Sequence, residues 1–89
     1  MNKSIYSPEM IAVRTWLRSE RLRLGLTMRE LAHRLDRPHS FVQRVEEGDR
    51  RLDVVEFVWY CQALGIDPAL GLELILSHHS YSISHKAIN

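Results

Sequence analysis

The sequence predicts an all-α fold of five short helices in one small domain. Three observations predict it: apolar residues recur at helical spacing, capping residues precede the helical stretches, and a glycine or a proline separates one stretch from the next. The 89 residues, of which 45% are hydrophobic, can form a compact core. A domain this small is only marginally stable by itself, and dimerisation would stabilise it.

The first helix is predicted to begin after Ser7, a good capping residue, with Pro8 at its first position. It runs to about Leu24, and Gly25 ends it. Residues 1–7 are predicted as a flexible N-terminal segment. The apolar positions of the helix are Ile11, Val13, Trp16, Leu17 and Leu24.

Two further short helices, joined by a tight turn, are predicted in the middle of the chain. Thr27 is a hydroxyl cap, and Glu30 follows at the spacing of a reciprocal capping box. Asp36, which tolerates a left-handed turn, and Pro38 end this helix. The next helix runs from about Pro38 to the residue before Gly48, where a left-handed end is expected. The apolar positions of the two helices are Leu31, Ala32, Leu35, Phe41, Val42 and Val45.

The last two helices are marked by the same kinds of signal. Asp53 and Glu56 form a second predicted capping box, and Gly65 ends the fourth helix. Asp67 and Pro68 begin the fifth helix as cap and first residue. The fourth helix is apolar on most sides, which predicts burial on more than one face.

The fifth helix carries more apolar surface than one small domain needs. This surface either contacts a partner subunit or closes the core of the monomer, and we favour the partner subunit. The predicted dimer interface consists of Leu70, Leu72, Leu74, Ile75 and Leu76, with Trp59 and Tyr60 as neighbours.

The charges of the chain are divided unequally between its two halves. Residues 1–51 carry eleven Lys or Arg and seven Asp or Glu, a net charge of +4. Residues 52–89 carry one Lys and four Asp or Glu, a net charge of −3. Ten of the eleven basic residues in the first half are arginines, whose planar guanidinium suits contacts to phosphates and guanines. This pattern indicates a phosphate-facing surface in the first half.

The central stretch resembles the helix-turn-helix of the lambda-repressor-like proteins, the Cro/cI or XRE type. The resemblance covers roughly residues 14–76 and departs from the family pattern at Met28, Asp36 and Pro38. The residues that match the pattern are Arg21, Gly25, Leu26, Thr27, Glu30, Leu31, Ala32, Leu35, Val42, Val45, Glu46 and Gly48.

The resemblance implies a sequence-specific DNA-binding transcriptional regulator, a repressor that binds a palindromic operator as a homodimer. Its third helix would be the recognition helix in the major groove. Arg21 is expected to pair with Glu46 and also to face a phosphate. The expected contacts to base edges are His39, Ser40, Gln43 and Arg44. The expected contacts to phosphates are Arg29, Arg37, Arg50 and Arg51.

Other functions of the same fold stay open at this point. The size also fits an antitoxin, a restriction-modification controller protein, or a protein-interaction module that has lost DNA binding. An enzyme is not expected, because His39 and Ser40 are adjacent on a helix and therefore point in different directions. The sequence has neither a glycine-rich phosphate loop nor a cluster of metal ligands, so we expect no cofactor and no metal.

The remaining expectations concern the cysteine, the termini and the location. Cys61, the only cysteine, lies in an apolar run and is predicted to be buried. Residues 8–77 are predicted as the folded domain and residues 78–89 as a polar tail, which could add a short strand on dimerisation. The tail histidines make a poor metal site because no cysteine or carboxylate stands at ligand spacing. The chain has no apolar span or signal peptide, which predicts a cytoplasmic protein without membrane contact.

Overall fold

The computed structural model describes residues 4–78 of the chain. The predicted all-α fold of five helices is confirmed over this range. The helices are α1 (Pro8–Arg23), α2 (Met28–Arg34), α3 (His39–Glu47), α4 (Val54–Leu64) and α5 (Pro68–Ser77).

A single turn of 3-10 helix, Ser4–Tyr6, precedes α1 and packs on it. These three residues lie in the segment that the sequence left without a pattern. The guanidinium of Arg14 donates a hydrogen bond to the carbonyl oxygen of Ile5 at 2.5 Å. This contact between residues nine positions apart fixes the turn, and no local sequence pattern reports it.

The predicted capping residues begin their helices as expected. Thr27 Oγ1 accepts from the Glu30 amide at 3.0 Å, and the Glu30 carboxylate accepts from the Thr27 amide at 2.8 Å. Asp53 and Glu56 exchange the equivalent hydrogen bonds at the start of α4, at 2.8 and 3.0 Å. Pro38 precedes α3 without a side-chain cap, so this helix depends on packing for its position.

Two left-handed residues flank α3 and set its direction. Asp36 in the turn between α2 and α3 has a φ of 55°, as the sequence predicts. Gly48 at the end of α3 has a φ of 83°. A Cβ atom at Gly48 would lie 2.9 Å from the guanidinium carbon of Arg14, the end of a flexible side chain that can move, so it is the left-handed backbone that favours glycine there.

The hydrophobic core takes one face from each of α1 to α4. Its fully buried side chains include Leu17 of α1, Leu31 of α2 and Val42 of α3. The other buried residues of the core are Val13, Ala32, Phe41, Val45, Tyr60, Cys61 and Leu64. Because α3 contributes three of these residues, its orientation is coupled to the stability of the whole domain.

The prediction that α4 is buried on more than one face is wrong for the single chain. Tyr60, Cys61 and Leu64 are buried, but Val54 and Trp59 are 80% and 51% exposed. Helices α1, α2 and α5 contact α4 but leave Val54 and Trp59 at the surface. The predicted place of Tyr60 beside the dimer interface is also wrong, because its side chain is completely buried in the core.

Helix α5 lies on α1 and α4 through Gly71. A Cβ atom there would approach Phe57 Cζ to 2.6 Å and Trp16 Cζ3 to 2.9 Å. The opposite side of α5 is exposed, with Leu72 at 56% and Leu76 at 70%. The helix therefore closes the core with its small residue and leaves Leu70, Leu72, Ile75 and Leu76 exposed, whereas Leu74 of the predicted interface is half-buried. None of the described helices is long and apolar enough to cross a membrane.

Candidate nucleic-acid interface

Helix α3 separates its side chains into a buried apolar face and an exposed polar face. Phe41, Val42 and Val45 point into the core. The four predicted base contacts are exposed together on the other side of the helix: His39, Ser40, Gln43 and Arg44. Residues at positions i, i+3 and i+4 of a helix are neighbours, so Ser40, Gln43 and Arg44 form one continuous surface. This surface offers hydrogen-bond donors and acceptors suited to base edges.

An acidic residue that the sequence analysis did not assign lies on the same polar face. The amide nitrogen of Gln43 donates to a Glu47 carboxylate oxygen at 3.2 Å. This contact orders the Gln43 side chain in the unbound protein. Glu47 also places a negative charge at the C-terminal end of this face.

Arg21 and Glu46 join α1 to the last turn of the recognition helix. The Nε atom of Arg21 donates to Glu46 Oε2 at 2.6 Å, and Nη2 donates to Oε1 at 2.9 Å. A third hydrogen bond runs from Arg21 Nη1 to the carbonyl oxygen of Leu26 at 2.8 Å. The hydrogen bonds to Glu46 raise the pKa of Arg21, whose charge is therefore secure at every accessible pH.

The expectation that Arg21 also faces a phosphate is wrong. The Arg21 and Glu46 side chains are only 7% and 3% exposed. The guanidinium donates to three acceptors within the fold, which points it inward. Arg18, whose side chain is 58% exposed, lies 3.8 Å from Glu46 and is the solvent-facing arginine of this group.

A second ion-pair group lies beside the recognition helix, and we call it the Glu56 cluster: Arg37, Phe41, Arg50 and Glu56. Arg50 donates from Nη1 and Nη2 to the two carboxylate oxygens of Glu56, both at 3.0 Å. Arg37 Nη2 lies 3.7 Å from Glu56 Oε2. Both guanidiniums lie over the ring of Phe41, at 5.0 Å for Arg37 and 4.7 Å for Arg50. Such contacts between a cation and an aromatic face are attractive.

The electrostatics of the cluster are mutually stabilising. The hydrogen bonds from Arg50, followed by the one from the Asp53 amide, lower the pKa of the Glu56 carboxyl below its usual value. The carboxylate in turn raises the pKa of Arg50. Both groups are therefore charged at neutral pH, and they hold each other in a bidentate geometry that is stronger than a single contact.

The predicted phosphate contacts consequently fall into two groups. Arg29 near the start of α2 and Arg51 in the loop after α3 are exposed. Arg37 and Arg50 are brought together over one aromatic ring, and each side chain is about one third exposed, at 34% and 31%. Sequence reasoning missed this grouping because it interpreted Glu56 only as a helix-capping residue.

Two predictions concern residues at the end of the chain. His78 is the last described residue, and its Nδ1 atom lies 3.0 Å from the carbonyl oxygen of Leu74. The rest of the predicted polar tail, with His79, His85 and the possible strand, lies outside the described residues.

The fold and the exposed polar face of α3 define a helix-turn-helix DNA-binding protein. A family model described as a helix-turn-helix domain matches residues 13–74. The chain is similar to the solved structure of an XRE-family like protein from Pseudomonas syringae pv. tomato. The two are 39% identical with a TM-score of 0.73, over 81% of this chain and 88% of that chain.

A second similar structure is that of the clp gene regulator ClgR from C. glutamicum. It is 27% identical with a TM-score of 0.67, over 80% of this chain and 92% of that chain. A search of curated proteins gave no significant match. The chain belongs to the XRE-type helix-turn-helix family, which confirms the resemblance. It is a DNA-binding transcriptional regulator.

Proposed function

We propose that this protein is a repressor that binds a palindromic operator as a homodimer in the cytoplasm. The observation that carries the proposal is the exposed polar face of α3, held by a buried ion pair at the end of the helix. A recognition helix must present its side chains in a fixed orientation, because a small error in angle loses the hydrogen bonds to base edges.

The proposed division of contacts follows from the side chains that the helix presents. Arg44 can donate two hydrogen bonds to guanine O6 and N7, and Gln43 can form the equivalent pair with adenine. His39 and Ser40, at the start of the helix, would contact the adjacent bases. Arg29 and Arg51 would bind phosphates directly and set the register of the protein on the duplex.

Two copies are proposed because one recognition helix reads too few base pairs to select a site in a genome. The exposed leucines of α5 supply an apolar surface for a two-fold interface, in which each copy presents the same patch. This surface continues into an apolar groove of about 390 Å³, whose lining includes Val54, Phe57, Leu72 and Ile75. The groove would receive side chains of the second copy.

A gel-shift titration with the DNA upstream of the protein's own gene tests the proposal. We expect a retarded complex at nanomolar protein that resists an excess of scrambled competitor of the same composition. If scrambled competitor removes the complex as readily as unlabelled upstream DNA does, the protein has only a general affinity for DNA. No shift with any DNA would favour the alternative of a protein-interaction module.

A further inference from the structure

Glu56 makes more polar contacts than its role as a capping residue requires. Its Oε1 atom accepts from the Asp53 amide and from Arg50 Nη1, both at 3.0 Å. Its Oε2 atom accepts from Arg50 Nη2 at 3.0 Å and lies 3.7 Å from Arg37. The Glu56 side chain is only 12% exposed, so one carboxylate serves two arginines in a largely dry position.

The two arginines stand at opposite ends of the recognition helix. Arg37 lies two residues before the start of α3, and Arg50 lies three residues after its end. Between them, the ring of Phe41 on the inner side of α3 is contacted by both guanidiniums. Glu56 therefore fastens both ends of α3 to the first turn of α4.

We infer that Glu56 is a positioning residue that makes DNA binding selective, by holding Arg37 and Arg50 in an internal ion-pair cluster. The inference rests on the proposed function as a DNA-binding regulator. An unpaired arginine on a long side chain can reach a phosphate in almost any register, and such contacts increase affinity for every sequence.

A paired arginine behaves differently. On DNA bound in the wrong register, Arg50 can reach a phosphate only by leaving the Glu56 carboxylate. It then exchanges one anion for another, so the contact adds little binding free energy. In the register where the phosphate already lies beside the cluster, the exposed side of the guanidinium can bind it without leaving Glu56. The cluster thus penalises contacts in the wrong register more than contacts in the right one, which is the condition for selectivity.

The test compares Glu56→Gln with the wild type by titrating operator and scrambled DNA over a range of salt concentrations. The amide oxygen of Gln can still accept the hydrogen bond of the Asp53 amide, whereas the negative charge and the second acceptor oxygen that hold the arginines are lost. We expect binding to scrambled DNA to become roughly fivefold to tenfold tighter at about 0.1 M salt, the effect of one additional phosphate contact. Its salt slope should become steeper by about 1, and operator binding should not improve.

Two control variants distinguish the effect of losing the Glu56 ion pairs from the effect of changing the net charge. Asp67→Asn makes the same change in net charge at another capping residue, three residues beyond the C-terminal end of α4, and should leave the ratio of operator to scrambled affinity nearly unchanged. Glu56→Asp keeps the charge but shortens the side chain, so it weakens the bidentate pair and should lower the ratio. It also provides the test if Glu56→Gln does not fold.

The outcomes distinguish the inference from the proposed function. A wild-type protein that binds no DNA contradicts the proposed function. A wild type that prefers its operator, together with Glu56 variants that keep the same ratio and salt slope, overturns the inference alone. An equal loss of affinity for both DNAs, following a lower folded fraction, shows that Glu56 is merely structural and also overturns it.

Discussion

The carboxylate of Glu46 receives two hydrogen bonds from the guanidinium of Arg21, at 2.6 and 2.9 Å, in a place that solvent scarcely reaches. The pair joins residues 25 positions apart and fastens the end of the recognition helix to α1. Because the same helix presents the predicted base contacts, we expect a change that breaks this ion pair to affect both folding and DNA binding.

Replacing Glu46 with alanine should destabilise the protein strongly. The substitution leaves a buried guanidinium without its partner, which costs about 3–5 kcal/mol for a buried pair. Urea unfolding of Glu46→Ala measures the loss. Glu47→Ala is the matched control, because its exposed side chain accepts one hydrogen bond, from Gln43, within residues 4–78, and it should change stability by less than about 0.5 kcal/mol. Equal stability of the two variants would show that the Arg21 pair contributes nothing to folding.

Arg44→Ala should weaken operator binding by about 1–3 kcal/mol and relax specificity at one base pair of each half-site. The reason is its exposed position on the polar face of α3, where its two donors match guanine O6 and N7. Binding measured against operators mutated at single positions locates the affected base pair. If the loss of affinity is the same on scrambled DNA, Arg44 contacts a phosphate instead.

Arg51→Ala should weaken operator and scrambled DNA alike and lower the salt slope of the binding constant by about 1. Arg51 is exposed in the loop after α3, and phosphate contacts carry no sequence information. Arg50→Ala is the informative comparison, because Arg50 is paired with Glu56. Removing the Arg50 side chain should also lower the free energy of unfolding. An unchanged salt slope in Arg51→Ala would remove this residue from the interface.

The sequence predicted the elements of the fold because their signals are local. The capping boxes at Thr27 and Asp53, and the left-handed turn at Asp36, depend on residues a few positions apart. The stripe of apolar residues on α3 likewise identified the exposed face on which Arg44 lies. The periodicity of one helix is enough for such predictions.

The interactions that the sequence did not predict depend on loop conformation or on how the helices cover one another. The capping role of Glu56 was visible, but its pairing with Arg50, only six residues earlier, depends on the conformation of the loop between α3 and α4, which no periodic pattern predicts. Burial of α4 was overestimated because its apolar composition does not say how much of it the neighbours cover, and Trp59 is half exposed. An apolar run therefore predicts that a helix forms more securely than it predicts which faces of that helix are buried.

Cys61 should resist alkylation in the folded protein. Burial raises the pKa of its thiol from 9.0 to about 11, so at pH 8 roughly one thiol in a thousand is ionised, and only the thiolate is the nucleophile. The same shift stabilises the fold fully below pH 9 and is lost as the pH rises toward 11. Mass spectrometry after iodoacetamide treatment, with urea-unfolded protein as control, should show slow native labelling. Equal rates at pH 8 would show that the thiol is accessible.

The dimer prediction depends on the exposed side of α5. Leu72 and Leu76 have no neighbour across most of their surface in the single chain, at 56% and 70% exposure, whereas Gly71 seats the other side of the helix on Trp16 and Phe57. A charge at the exposed positions should therefore leave the monomer folded and prevent association. Leu72→Glu and Leu76→Glu are the cleanest variants, and Ile75→Glu should act in the same direction.

Sedimentation equilibrium and operator titration together test whether the protein dimerises through α5. We expect wild-type dimers whose recognition helices lie about 34 Å apart, the spacing of one turn of DNA. The α5 variants should be monomers that bind the palindrome at least tenfold more weakly, because each then binds a half-site with one helix. Leu22→Glu, at a leucine of α1 that is 50% exposed, should remain dimeric and serve as the control. A wild-type protein that stays monomeric at tens of micromolar and still binds its palindrome tightly would contradict an interface on α5.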